Sequence, residues 1–135
     1  MAIDLETLAA AARAVRENAY ARYSGFRVGA AVLDENGALH VGVNVENAAY
    51  PLGSCAEANA IGAMISAGGK HIVRIVVFGG RQEIEACTPC GGCRQRIAEF
   101  ADKDTDLVML GEGGALSHFT IDEMLPASFS WPETR

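Results

Sequence analysis

Apolar residues first recur along this chain at helical spacing. Leu5, Leu8, Ala12 and Val15 fall on one stripe, Asp4 stands where an N-cap carboxylate would take a first-turn amide, and Ile3 and Leu8 can close a hydrophobic staple across it. The pattern predicts a helix from residue 5 to about residue 21. After Gly25 the period falls to two. Val28, Ala30 and Val32 alternate with their neighbours, Asp34-Glu35-Asn36-Gly37 reads as a turn, and Leu39, Val41, Val43 and Val45 alternate again, which predicts a hairpin. Pro51 and Gly53 then interrupt the chain, and the alanine-rich stretch 56–67, closed by Gly68-Gly69, reads as a buried helix. Residues 72–78 form a β-branched, apolar run of strand length that is expected to stop at Gly79-Gly80. A third helix is expected after Cys90, passing through Ile97 and Phe100, followed by a strand at 107–110 and a short last helix behind the Thr120/Glu123 capping box. The order αββαβαβα predicts an α/β fold, with a mixed sheet carrying helices on both faces and a single domain spanning residues 1–135.

Composition narrows the class. Of 135 residues, 50% are hydrophobic and 21% charged, with fifteen glycines and four prolines, which suits a globular domain and excludes disorder, collagen and coiled coil. A chain of this length buries roughly two thirds of the surface its unfolded form exposes, so it needs no disulfide staples. The formal net charge of -6, with no block of like charge, argues against a polyanion such as nucleic acid as the main partner. Met1-Ala2-Ile3-Asp4 has neither the basic start nor the apolar run of a signal peptide, and no stretch approaches a membrane span. A cytoplasmic protein with reduced thiols and no membrane partner is therefore expected.

The chemistry gathers on cysteine. Cys87, Cys90 and Cys93 lie within seven residues and Cys55 lies 35 positions before Cys90, a spacing that suits a metal site better than a disulfide framework. Pro89-Cys90-Gly91-Gly92-Cys93 reads as a helix start whose first turn points two thiols the same way, and Cys55 also sits between a turn and a helix. The partial positive charge at a helix N-terminus stabilises thiolates, and a soft tetrahedral set of thiolates favours Zn2+. Glu57 decides the character of the site. Two positions after Cys55, it lies on nearly the opposite side of the helix and is badly placed to chelate, so it is expected to stand beside an open fourth position. Three protein ligands, an open position and a nearby carboxylate form the catalytic arrangement of zinc, and a non-ligating Glu before Pro-Cys-x-x-Cys is the signature of zinc nucleobase deaminases.

Further blocks make the pattern specific. Tyr23-Ser24-Gly25-Phe26-Arg27-Val28-Gly29-Ala30-Ala31, Asn44-Val45-Glu46-Asn47-Ala48-Ala49-Tyr50, Pro89 to Gln95 and Leu125-Pro126-Ala127-Ser128-Phe129 all occur in one order. Together with Cys55-Ala56-Glu57, they resemble the small homotetrameric zinc-dependent cytidine deaminase family over nearly the whole chain. The resemblance implies a cytidine deaminase-like three-layer fold, Cys55, Cys90 and Cys93 as zinc ligands, and Glu57 as the catalytic proton shuttle. It further implies Asn44 and Glu46 at the sugar hydroxyl, Phe26 near the pyrimidine and the backbone of Ala56 at the exocyclic groups of the base. Phe129 and the segment around Tyr50 would serve a neighbouring subunit's pocket in a homotetramer. Hydrolytic deamination of free cytidine and deoxycytidine to uridine and deoxyuridine, for pyrimidine salvage, is the expected activity. A carboxylate beside the sugar repels phosphate, which favours nucleosides over nucleotides.

Two positions depart from the family pattern. Ala58-Asn59-Ala60 replaces an Arg-Thr-Ala in which the arginine offsets the negative charge of three thiolates, and Arg22 stands where many members place proline. Arg94 or helix N-terminal amides are candidates to supply that compensation. Competing readings are a four-cysteine structural or iron-sulfur site that includes Cys87, a non-catalytic zinc interaction module, and a deaminase of another cytosine nucleoside such as blasticidin S or an N4-modified cytidine. Nucleic-acid editing would require a basic track that the chain lacks. Cys87 is expected to be a bystander, Trp131 receives no role, and His40, His71 and His118 are expected to be structural or surface residues.

Overall fold

A computed structural model describes residues 3–131. The elements are α1 (Leu5–Arg16), β1 (Arg27–Asp34), β2 (Leu39–Val43), α2 (Ala56–Ser66), β3 (Ile72–Gly80), α3 (Gly91–Phe100), β4 (Asp106–Leu110), β5 (Leu116–Phe119) and α4 (Ile121–Met124), with 3-10 turns at Tyr50–Leu52 and Glu112–Gly114. One five-stranded sheet runs β2-β1-β3-β4-β5. The β3–β4 pair is parallel and the other three are antiparallel, so the sheet is mixed.

Alternation along the strands divides the core in two. Ala30, Val32, Ile75, Val77, Leu107 and Met109 pack beneath α2, α3 and α4 with Met64, Ile97 and Met124. Their neighbours Ala31, Val76, Phe78 and Val108 face Leu8, Ala9 and Ala12 of α1 on the other side. This explains why β3 reads as an unbroken apolar run: both its faces are covered. Helices thus lie on both faces of the sheet, as the pattern predicted.

The differences from expectation have physical reasons. The first helix stops at Arg16 rather than near residue 21, because Tyr20 leaves the helical path to exchange backbone hydrogen bonds with the strand extension, donating to Asn44 O at 3.0 Å and accepting from Glu46 N at 2.9 Å. Arg16 itself is buried, and its guanidinium donates to Arg27 O at 3.1 Å and to Gly80 O at 2.7 Å, which ties the end of β3 to α1. The third strand ends at Gly79-Gly80, as the sequence pattern predicted, with both glycines still paired, opposite Val28 and Arg27. A Cβ at Gly79 would come within 2.8 Å of the Phe26 ring, so glycine is there to admit that ring. A fifth strand, β5, was not anticipated. Its Leu-Ser-His-Phe sequence is short and half-exposed, but the Gly111 to Gly114 turn that returns it onto β4 is a hairpin signal in hindsight.

Candidate active site

The fold brings the N-termini of α2 and α3 together. Cys55 is the N-cap residue of α2, Cys90 the N-cap of α3, and Cys93 sits one turn into α3. Their sulfurs all lie within 4.8 Å of one another. Both helix starts are fastened. Asn59 donates from Nδ2 to Val43 O at 2.7 Å and to Ser54 Oγ at 3.0 Å, holding α2 to the end of β2. Gly42 lets that helix approach, since a Cβ there would come within 2.8 Å of the Asn59 backbone. The segment leading into α3 is held by Arg94, which donates to Pro89 O at 2.8 Å, Thr88 Oγ1 at 2.9 Å and Met124 O at 2.9 Å. The Arg94 guanidinium therefore serves backbone and a hydroxyl; it is Arg96, three residues after Cys93, that donates Nη1 to the Cys93 sulfur at 3.7 Å. Of the two sources of compensation expected from the sequence, Arg94 and helix amides, Arg94 makes no hydrogen bond to a thiol sulfur. Helical i, i+3 spacing from Cys93 is the signal that points to the Arg96 contact.

The donor set fits zinc. Tetrahedral zinc with bonds of about 2.3 Å holds its sulfurs about 3.8 Å apart, so small side-chain rotations close the cage. The Cys93 amide at the start of α3 pulls the Cys90 thiol below its ordinary pKa, against the opposing effect of burial. Cys93 is driven strongly upward, by burial first and then by the neighbouring Glu57, Cys55 and Cys90 charges. Thiols this crowded repel one another as thiolates, and a divalent cation between them relieves that repulsion. Cys87 stands outside the cluster, half-buried, with its Sγ 4.0 Å from Gly79 O.

Glu57 is 5% exposed, in the first turn of α2. Burial pushes its carboxyl above the usual carboxylate range, against the pull of its own amide, the Cys93 thiol and the charge of Arg96. A carboxyl in that state holds a proton more readily than an exposed one, which suits a group that must take up and give back protons near neutral pH.

From this cluster a cavity of about 440 Å³ opens toward the start of β1, and Cys55, Ala56, Glu57, Cys90 and Cys93 line one end. Phe26, Asn44, Glu46 and Tyr50 also line it. Val28, Val45, Gly53, Ser54, Val77, Cys87, Thr88 and Pro89 complete the wall; apart from Cys87, weighed only as a fourth thiol, none is expected from the sequence as a site residue, because each reads locally as ordinary strand, loop or turn. The Asn44 side chain is already half engaged: Oδ1 accepts from Val28 N at 2.8 Å and Nδ2 donates to Phe26 O at 2.9 Å. One N–H and one lone pair remain. Glu46 is also engaged, accepting from the Tyr23 and Ser24 amides at 3.0 Å each and from the Ser24 hydroxyl. The Ser24 hydroxyl, then its amide and that of Tyr23, hold the Glu46 carboxyl below the usual range. Glu46 and Tyr50 also line an adjoining cavity of about 340 Å³, across which Tyr23 meets Tyr50 edge to face with centroids 6.2 Å apart. Phe129 lies elsewhere, 65% exposed and stacked edge to face on Trp131, and does not line this chain's cavity. The three histidines each pair with an aspartate: His40 with Asp34, His71 with Asp102 and His118 with Asp106.

A mixed α/β sheet that sets three thiols from two helix starts beside a buried carboxylate, at the end of a cavity, defines a zinc-site protein whose ligand cluster opens onto that cavity. Residues 3–109 match the family model described as the cytidine and deoxycytidylate deaminase zinc-binding region. A cytidine deaminase of Sporosarcina psychrophila is 37% identical over 128 residues, covering 95% of this chain and 93% of its own. The crystal structure of cytidine deaminase from Burkholderia pseudomallei superposes with a TM-score of 0.84 at 36% identity, over 94% of this chain and all of the other. A blasticidin-S deaminase of Bacillus cereus is similar at 31% identity over 109 residues, 76% of each chain. The chain belongs to the cytidine deaminase family.

Proposed function

We propose that this chain catalyses the hydrolytic deamination of free cytidine and deoxycytidine, giving uridine and deoxyuridine with release of ammonia. The observation that carries this reading is the cavity itself: one end holds the thiol cluster and the buried Glu57, and the same space reaches Asn44 and Glu46. Its volume suits a nucleoside.

Cys55, Cys90 and Cys93 hold zinc. When bound, zinc makes water nucleophilic near neutral pH. Glu57 then carries the protons: it accepts one from the attacking water and delivers it to ring N3 so that C4 becomes electrophilic, then accepts the second from the new C4 hydroxyl and delivers it to the amino group as it leaves. The water oxygen bonds to C4, the C4–N bond breaks, and ammonia departs, so atoms balance. The Ala56 backbone at the first residue of α2 meets the exocyclic groups, and Phe26 flanks the ring. Asn44 offers its remaining N–H and lone pair to a sugar hydroxyl, while Glu46 accepts from one and repels a phosphate. The net charge of -6 supports a free nucleoside over a polynucleotide. The reading extends to one catalytic domain over residues 1–135, a place in pyrimidine salvage in the cytoplasm, and a homotetramer in which the exposed Phe129 and Tyr50 segments complete neighbouring pockets.

The likeness to the Bacillus cereus protein favours one second reading, a larger or modified cytosine nucleoside as the better substrate. Ammonia release from cytidine, deoxycytidine, CMP, cytosine and blasticidin S separates the two. Turnover of the two plain nucleosides, with CMP and cytosine poor, is expected; turnover of blasticidin S without cytidine would replace the first reading with the second. Light scattering on the same preparation reads the oligomer, with four chains expected.

A further inference from the structure

Three thiolates on a divalent ion leave a site one charge negative, so the metal's hold and the basicity of its ligands depend on what lies around it. The Arg94 guanidinium donates to Pro89 O, Thr88 Oγ1 and Met124 O, and not to a thiol sulfur. The side chain at position 58, in the first turn of α2, is a methyl. Cys55 and Cys90 are the N-cap residues of α2 and α3, where the partial positive charge of a helix start lies beside them. The Cys93 sulfur is buried and one turn into α3. Among the described residues, Arg96 is the one cationic side chain with a hydrogen bond to a thiol sulfur, Nη1 to Cys93 Sγ at 3.7 Å.

The placement is specific. Cys90, Cys93 and Arg96 follow one another at three-residue steps, so they share one ridge of the helix. The guanidinium passes beside Gly92, where a Cβ would stand at van der Waals contact, 3.4 Å from Arg96 Nη1. A guanidinium that donates to a buried sulfur stabilises its thiolate form, since hydrogen bonds to a charged group are about twice as strong as neutral ones.

We propose that Arg96 is a positioning residue of the zinc centre, offsetting the excess negative charge of its three thiolates through the Cys93 sulfur and thereby setting how tightly the site holds zinc. The proposal rests on zinc binding by Cys55, Cys90 and Cys93. Arg96 remains exposed to solvent, so its charge is partly screened and its effect falls near the low end of the about 10–100-fold range for groups that support metal ligands.

The test is competition for zinc between the purified protein and a chromophoric chelator, at fixed pH and two salt concentrations. Arg96→Gln, which keeps length and a donor but loses charge, is expected to bind zinc about tenfold more weakly. Arg96→Lys is expected to recover most of the loss. Arg74→Gln, which removes the same charge from β3, is expected to bind as wild type does. High salt should narrow the gap between wild type and Arg96→Gln, a response that a purely structural role would not give. Wild-type affinity in Arg96→Gln, or an Arg96→Lys as weak as Arg96→Gln, overturns the proposal. A wild-type chain that takes up no zinc overturns the metal centre itself, and the proposal with it.

Discussion

The two ends of the cavity are built on different principles. At the thiol end, the chemical groups sit on helix starts clamped from outside by Asn59 and Arg94, and Cys93 and Glu57 are buried. At the other end, where a sugar is proposed to bind, Asn44 and Glu46 sit on the irregular segment between β2 and α2, and much of their hydrogen-bonding capacity is spent on their own loop and strand. One end separates scaffold from chemistry; the other makes the same side chains serve both. Substitutions at the thiol end should therefore abolish function with clean diagnoses, while those at the sugar end should mix binding with stability.

The sharpest break is Cys93→Ala. Loss of the buried ligand should leave the protein with less than one zinc per chain and no measurable ammonia release, read by metal analysis and a coupled ammonia assay. Next in size is Glu46→Ala, expected to raise the nucleoside KM by about tenfold or more, by analogy with a site that loses uniform binding, while zinc content stays at the wild-type level. Part of that loss should come from a looser turn at Tyr23-Ser24, visible as faster amide exchange there. Asn44→Ala should raise KM as well, but it also strips the Val28 amide and the Phe26 carbonyl of their partner. Leaving such groups unpaired costs about 1–3 kcal/mol, so a lowered Tm must accompany the kinetic change; a KM effect with unchanged Tm would undo the idea that Asn44 serves two roles.

The smallest effect lies outside the cavity. Asp34 is buried in the β1–β2 turn and bonded to His40 at 2.7 Å. Burial alone would raise its pKa, but the His40 bond and the Ala38 and Asn36 amides outweigh it, and the carboxyl titrates below 3.8. A carboxyl depressed by folding adds stability above its unfolded value and loses it as pH falls through the folded one. Wild type should therefore lose Tm more steeply than Asp34→Asn as pH drops below 3.8, with KM alike in both at neutral pH.

The same contrast explains what the sequence revealed. Cys55-Ala56-Glu57 and Pro89 to Cys93 are legible because helix starts encode their geometry locally: a cap, a proline and a three-residue spacing suffice. The sheet was legible wherever a face is buried, as in the run through β3, and illegible at β5, where only half the pattern is covered. Long-range anchoring left no trace. Nothing near Arg16 announces that its guanidinium will hold Gly80 O, 64 positions away, and nothing near Asn44 announces Val28. Adjacency in sequence draws attention to Arg94, whereas on a helix the residue that reaches back to Cys93 is Arg96, three places on.

The central claim is that Glu57 moves protons beside a zinc ion it does not bind. Glu57→Gln tests this most directly, by zinc content and ammonia release from cytidine measured on one preparation beside wild type. The account predicts one zinc per chain in both proteins and a rate lower by about 10²–10⁴-fold in the variant, the usual worth of a positioned acid–base group. A variant that releases ammonia at the wild-type rate, or one that has lost its zinc, would contradict it.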